Sequence, residues 1–263
     1  MKTPKIIFFD IDDTLYRKYT DTLRPSVAEA VKALKARGIL TAIATGRPYA
    51  AMPAKVRALA AEAGMDLLLT INGQFVRYRG EVLQKYPLET AKVEALCAYF
   101  DRKGIAYAFV ADHTIAVSEP VPEVEGAMAH ILPDHPVDKD FYRRNEVFQM
   151  LGFYAAGREA EMAAAAAEHG CRTVRWHESA VDILDIEGSK ARGIRAAAAG
   201  LGIDMQEVMA FGDGLNDIEM IKAVGFGVAM GNGHPDLKAA ADYICPTVEE
   251  DGVYSGLKSL GII

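Results

Sequence analysis

Two aspartates, Asp10 and Asp12 in the run Asp-Ile-Asp-Asp-Thr, follow directly on the apolar stretch at residues 5–9. Residues two apart in an extended chain project to the same side, so the two carboxylates are neighbours at the end of a strand. Adjacent carboxylates repel unless a cation or a shared proton lies between them, and an oxygen set of this kind suits Mg²⁺. A solvated turn with capping aspartates would use the same residue types. Thr45-Gly46-Arg47 stands at a second strand end, just before Pro48. A hydroxyl and free backbone N–H groups there can hold phosphate oxygens, and they can equally cap a proline-initiated helix. Late in the chain comes Gly212-Asp213-Gly214-Leu215-Asn216-Asp217. Asp213 is spaced to complete a metal site, Asn216 and Asp217 turn back toward the same edge, and the glycines let the backbone approach closely. Three acidic or amide groups at one strand end exceed what capping requires. Lys190, in Gly188-Ser189-Lys190, opposes the dipole of the helix it opens, a place that suits a cation set beside carboxylates and phosphate.

These groups need a scaffold that carries strand ends to one edge. Apolar strands at residues 5–10, 39–44 and 67–71 alternate with helical patterns at 26–37 and 50–63, and Gly38 and Gly64 stand where helix C-caps belong. That βαβαβ order predicts an α/β fold, a doubly wound parallel sheet covered on both faces, which binds ligands at its carboxyl edge. The alternation resumes with a helix at 189–199, a strand at 207–211, a helix at 216–223 and strands at 226–230 and 242–245. Between the halves the pattern changes to an αββ unit (90–103, 105–111, 114–118), echoed at 159–169, 172–177 and 180–186. The expected division is a core of residues 1–81 and 188–263 and an inserted α+β cap of residues 82–187.

The 263 residues, 51% of them apolar, suffice for one large core or two moderate ones. No apolar run approaches the roughly 20 residues of a membrane span, and no secretory pattern opens the chain, so a cytoplasmic protein without membrane partners is expected. Cys97, Cys171 and Cys245 lie too far apart for a CxxC pair. A net charge of −7 argues against a nucleic-acid partner. It also repels small anions, so an anionic substrate calls for a local cation. The histidines show no zinc spacing, and Trp176 on a cap strand reads as packing rather than chemistry.

In their order along the chain, Asp10/Asp12, Thr45, Lys190 and Asp213/Asp217 resemble the four motifs of the haloacid dehalogenase superfamily. The strings Thr-Gly-Arg, Ile-Asn-Gly, Gly-Asp-Gly-Leu-Asn-Asp and Ala-Met-Gly-Asn, with the αββ insert, are similar to the Cof-type subfamily (subclass IIB). The resemblance covers essentially the whole chain. It implies a Mg²⁺-dependent phosphatase of small phosphorylated metabolites, sugar phosphates first, with pyridoxal phosphate or flavin mononucleotide as alternatives. Asp10 would be the nucleophile that becomes aspartyl-phosphate. Asp12 would serve the leaving alcohol as acid and the hydrolytic water as base, and its carbonyl would ligate the metal. Thr45 and Lys190 would grip the phosphoryl group, with Gly46, Arg47, Asn72 and Asn216 facing the substrate phosphate. Asp10, Asp12, Asp213 and Asp217 would form the metal site, Asp217 holding metal water or orienting Lys190. The cap would close over a substrate lying between the domains, in a monomer or small homo-oligomer. A phosphomutase and a non-catalytic phosphometabolite sensor are the rival expectations. Asp13 and Ala191 depart from glycines common in the family.

Overall fold

A computed structural model describes residues 2–263. The chain divides into two units: the residues up to Gly46 with Met52–Lys85 and Ser189–Ile263, and Arg47–Ala51 with Tyr86–Gly188.

The first unit opens with β1 (Ile6–Phe9), four apolar residues buried on both faces, as a central parallel strand must be. A short hairpin of β2 (Tyr16–Arg17) and β3 (Thr22–Leu23) leads to α1 (Pro25–Ala36), whose Val27, Ala30, Val31 and Leu34 recur at helical spacing and form its buried stripe. Next come β4 (Leu40–Ala44), α2 (Ala54–Ala63) and β5 (Leu67–Thr70). α2 begins four residues later than the pattern predicts, because the chain before Pro53 turns as a short 3-10 segment. Two further strands, β6 (Phe75–Tyr78) and β7 (Glu81–Lys85), form an antiparallel hairpin at the sheet edge.

The second unit contains α3 (Thr90–Lys103), β8 (Ala106–Ala111), β9 (Thr114–Val117), α4 (Pro122–Met128), β10 (Gln149–Phe153), α5 (Glu159–Glu168), β11 (Cys171–His177) and β12 (Ala180–Asp185). Its antiparallel sheet runs β11-β12-β10-β8-β9. The two halves of the αββ repeat are the flanking hairpins, and β10, outside the repeat, joins them by pairing with β8 and β12. Phe100, Tyr107, Phe109, Phe141, Met150 and Ile183 belong to its core.

The chain then returns to the first unit through α6 (Lys190–Leu201), β13 (Val208–Gly212), α7 (Ile218–Ala223), β14 (Phe226–Ala229), α8 (Pro235–Ala240), β15 (Tyr243–Ile244) and α9 (Gly252–Ser259). The eight-stranded sheet runs β15-β14-β13-β1-β4-β5-β6-β7, parallel from β15 to β5. Alternate side chains of β1 feed two apolar layers. Ile7 and Phe9 pack with Val31, Leu34, Val56 and Leu257, while Ile6 and Phe8 pack with Ile194, Met220 and Leu237. β1 is thus held from both faces, and its carboxyl end lies between those of β4 and β13. The three cysteines are free and buried. Among the described residues no helix is long and apolar enough to cross a membrane.

Candidate active site

Register explains why residues far apart in sequence meet. Phe9 pairs with Ile43 on one side and Phe211 on the other, so Asp10 leaves β1 where β4 delivers Thr45 and β13 delivers Asp213. The Asp10 N–H donates to the Phe211 carbonyl at 3.0 Å, carrying the ladder one residue past the strand.

Lys190 is the first residue of α6, capped by Ser189, whose Oγ accepts from the Arg192 N–H at 3.1 Å. Its side chain is fully buried. Lys190 Nζ donates to Asp10 Oδ1 at 2.5 Å and to Asp217 Oδ1 at 2.6 Å. A buried ammonium persists only where paired charge offsets the loss of water. Burial works against the Lys190 charge, yet Asp10 and Asp217 outweigh it and raise its pKa. Asp217 is buried as well, and its Oδ2 accepts from the backbone N–H groups of Asp213 and Gly214, both at 3.0 Å. The glycines around it are required by space. A Cβ on Gly212 would stand 2.6 Å from the Asp217 carboxyl carbon, and one on Gly214 would stand 2.7 Å from Asn216 Oδ1.

Asp10, Asp213 and Asp217 each offer an oxygen, and the three oxygens lie within 4.8 Å of one another. Burial pushes the Asp10 carboxyl up to about 7, with Lys190 pulling down and Asp217 and Asp12 pushing further up. Burial likewise carries Asp213 to about 9, reinforced by the negative charge of Asp10 and Asp217. Fully ionised, three carboxylates crowded in this way would carry more negative charge than one lysine offsets. An all-oxygen donor set with that excess fits a hard divalent cation. Asp217 spends Oδ1 on Lys190 and Oδ2 on two amides, so Asp10 and Asp213 are the members better placed to face an ion.

Asp12 is half-buried beside this group, and its charge contributes to the rise at Asp10. Asp13 has φ 56°, a left-handed conformation that glycine adopts freely and aspartate tolerates. That accounts for the exchange of one residue for the other here. Arg17 pairs with the Asp13 carboxylate at 3.0 Å, and Asn232 Nδ2 donates to the Asp13 carbonyl at 2.9 Å. Ala191, the second departure, lies inside α6, where no glycine conformation is needed. Thr45 is buried and anchored through its backbone, its N–H donating to Leu69 and its carbonyl accepting from Asn72. Asn216 Nδ2 donates to Asn72 Oδ1 at 2.9 Å, and a Cβ on Gly46 would meet that same Asn72 oxygen at 3.2 Å. Thr45, Gly46, Asn72 and Asn216 therefore form one cluster.

Arg47, the third residue of the Thr-Gly-Arg string, has backbone partners. It is grouped with the second unit, is buried, and donates to the carbonyls of Ala51 at 2.8 Å and His130 at 3.2 Å. Trp176 lies on β11 beside His177, ring centroids 5.8 Å apart. Two contributors have no role assigned from the sequence, although Thr14 closes the Asp-Ile-Asp-Asp-Thr run. Thr14 Oγ1 donates to Asp213 Oδ1 at 3.4 Å, and Asn232 ties the Asp13 loop to the Val248 N–H. The Ala-Met-Gly-Asn string is the one signal that could have marked Asn232.

Comparison with known proteins agrees with this geometry. A family model described as haloacid dehalogenase-like hydrolase matches residues 7–257. YkrA of Bacillus subtilis (strain 168) is 38% identical over 264 residues, covering 98% of both chains. A phosphoglycolate phosphatase of Archaeoglobus fulgidus is 31% identical over 266 residues and the full length of both. The solved structure of a subclass IIB sugar phosphatase of the superfamily superposes with a TM-score of 0.89 at 34% identity, covering 98% of this chain and 100% of that one. With a buried lysine between two aspartates at the carboxyl edge of an α/β sheet, and with relatives that span its length, this chain belongs to the haloacid dehalogenase-like hydrolases, as a phosphatase of phosphoric monoesters.

Proposed function

We propose that this phosphatase hydrolyses small phosphorylated metabolites, sugar phosphates first, through an aspartyl-phosphate on Asp10 with Mg²⁺ as cofactor. The observation that carries the reading is the ammonium of Lys190 lodged between Asp10 and Asp217 with Asp213 adjacent. The sugar-phosphate preference is supported by the likeness to the subclass IIB sugar phosphatase.

Asp10 and Asp213 would hold the metal, together with the Asp12 carbonyl, and a bound Mg²⁺ supplies charge neutralisation for the carboxylates and the incoming phosphate. In the first half-reaction an Asp10 carboxylate oxygen forms a bond to phosphorus as the bond to the leaving alkoxide breaks, and Asp12 gives that alkoxide its proton. In the second, Asp12 takes a proton from water, whose oxygen bonds phosphorus and returns Asp10 to the carboxylate. Lys190 neutralises charge on the transferring phosphoryl group, and Asp217 keeps the ammonium aimed at it. Thr45, Gly46, Asn72 and Asn216 orient phosphoryl oxygens at the neighbouring strand end, while Arg47 braces the backbone. A loose phosphoryl-transfer transition state needs mainly positioning and neutralisation, which is what this inventory offers.

The test is a phosphate-release screen over phosphorylated metabolites with Mg²⁺, with chelator, and with Asp10→Asn. Release is expected in the first condition, with sugar phosphates among the best substrates, and with Asp10→Asn lower by roughly 10³-fold or more. Undiminished release by Asp10→Asn refutes the nucleophile, and an isomerised product without free phosphate indicates a mutase.

A further inference from the structure

Three consecutive residues after β5 adopt left-handed backbone conformations: Ile71 at φ 53°, Asn72 at φ 51° and Gly73 at φ 81°. For a β-branched residue such as Ile71 this is a genuine outlier, and such strain persists only where the surroundings enforce it. Ile71 and Asn72 are buried, and the Asn72 N–H and side chain are tied to Thr45 and Asn216. What the turn presses against is the first turn of α6. A Cβ on Gly73 would collide with the Ser189 carbonyl oxygen and lie 3.2 Å from Lys190 Cα. From the other side, a Cβ on Gly193 would stand 2.7 Å from Leu69 Cδ2, 2.8 Å from Gly73 Cα and 3.0 Å from the Gly73 carbonyl oxygen. Gly193 lies inside a helix, where glycine is disfavoured relative to alanine and no positive φ is involved. Its small size therefore serves the contact and not the helix.

We propose that Gly73 and Gly193 are positioning residues for Lys190: backbone seated on backbone, they set how deeply the opening turn of α6 lies in the sheet, and so whether Nζ reaches Asp10 and Asp217 together. The inference rests on the reading of Lys190 as the phosphoryl-neutralising group. The strained turn links two strand ends and a helix start, since one segment meets Thr45 after β4, Asn216 after β13 and the helix that carries Lys190.

Wild type is compared with Gly193→Ala, Gly73→Asn and the control Gly38→Ala, by Mg²⁺-dependent release from an aryl phosphate and by crystal structures. Gly38 shares a positive φ of 73° but has open space around it, so its variant carries the backbone cost without the contact. Gly193→Ala is expected to lower kcat by about tenfold or more, with KM held within about threefold and Lys190 Nζ drawn out of hydrogen-bond reach of Asp10. Gly73→Asn keeps a residue that accepts the left-handed backbone, so it restores activity if conformation alone matters; the contact predicts that it fails as Gly193→Ala does. Gly38→Ala should leave kcat unchanged. A folded Gly193→Ala or Gly73→Asn protein with wild-type kcat overturns the proposal, and so does a crystal structure in which Lys190 still spans both aspartates. If one variant is insoluble, the other decides. If wild type itself shows no turnover, the phosphatase reading of the site has failed, and the Lys190-to-Asp10 separation in the variant crystals decides the positioning claim by itself.

Discussion

At the scale of single residues, the site is a balance of buried charge. Burial forces Asp10 and Asp213 toward the protonated state, with Asp217 and Asp12 adding to it at Asp10 and the charges of Asp10 and Asp217 adding to it at Asp213, while Lys190 is held charged by its partners. A carboxyl whose pKa is raised by folding adds stability at low pH and loses it as pH climbs from the ordinary value of 3.8 toward about 9, the folded value at Asp213. The metal-free protein should therefore melt at progressively lower temperature between about pH 5 and about pH 9, and saturating Mg²⁺ should remove most of that slope. Thermal unfolding with chelator and with Mg²⁺ across that range checks it; parallel curves, with Mg²⁺ giving no extra protection at high pH, would contradict the assignment. The carboxylates were legible in the sequence because each stands directly after an apolar strand, so type and place were visible together. Asp217 was legible as a participant, but its division between Lys190 and two backbone amides depends on the turn at Gly212–Gly214, whose path no spacing rule supplies.

At the scale of elements, the strands and helices that carry the site follow from apolar periodicity, and the ones it left out lack that signal. β10 is five buried residues including Gly152, too short and too uniform to show a period. The β6–β7 hairpin turns through Arg79 and Gly80, both left-handed at φ 50° and 85°, as a two-residue loop of this kind demands. Arginine at the first of these positions hides a turn that asparagine would have announced. It also gives a prediction: Arg79→Asn should raise stability by about 0.5–1 kcal/mol by easing the left-handed backbone, with kcat unchanged. Urea unfolding and the phosphate-release assay read the two halves of that statement, and a destabilised Arg79→Asn protein would show that the guanidinium packed over the Tyr78 ring contributes more than the turn. The Ile71–Gly73 turn was invisible for the opposite reason. Isoleucine reads as strand, and the ties to Thr45 and Asn216 together with the contact with α6 override that preference.

At the scale of the whole molecule, the chain contains two units with separate apolar cores, one around the parallel sheet and one around the antiparallel sheet. Cores that share few side chains need not melt together, so calorimetry is expected to show a calorimetric enthalpy larger than the van't Hoff value. Because every candidate metal ligand lies in the first unit, Mg²⁺ should shift only one of the component transitions. A single two-state transition displaced as a whole by Mg²⁺ would mean that the units unfold as one. The αββ repeat was the sequence signal for an inserted cap at residues 82–187, read from element order although its residues barely match. The role of Arg47–Ala51 was not legible, since a segment lying between β4 and α2 in sequence gives no sign that it packs with residues more than eighty positions away.

The most direct measurement follows the phosphoryl group itself. Asp12→Asn protein, which lacks the group that activates water, is mixed with Mg²⁺ and an aryl phosphate whose leaving group needs little acid assistance, quenched in acid, and mapped by mass spectrometry. The account predicts one phosphate bound covalently at Asp10, formed in step with a burst of phenol and absent from Asp10→Asn. Phenol release without any covalent phosphate, or phosphate carried by another residue, would contradict it.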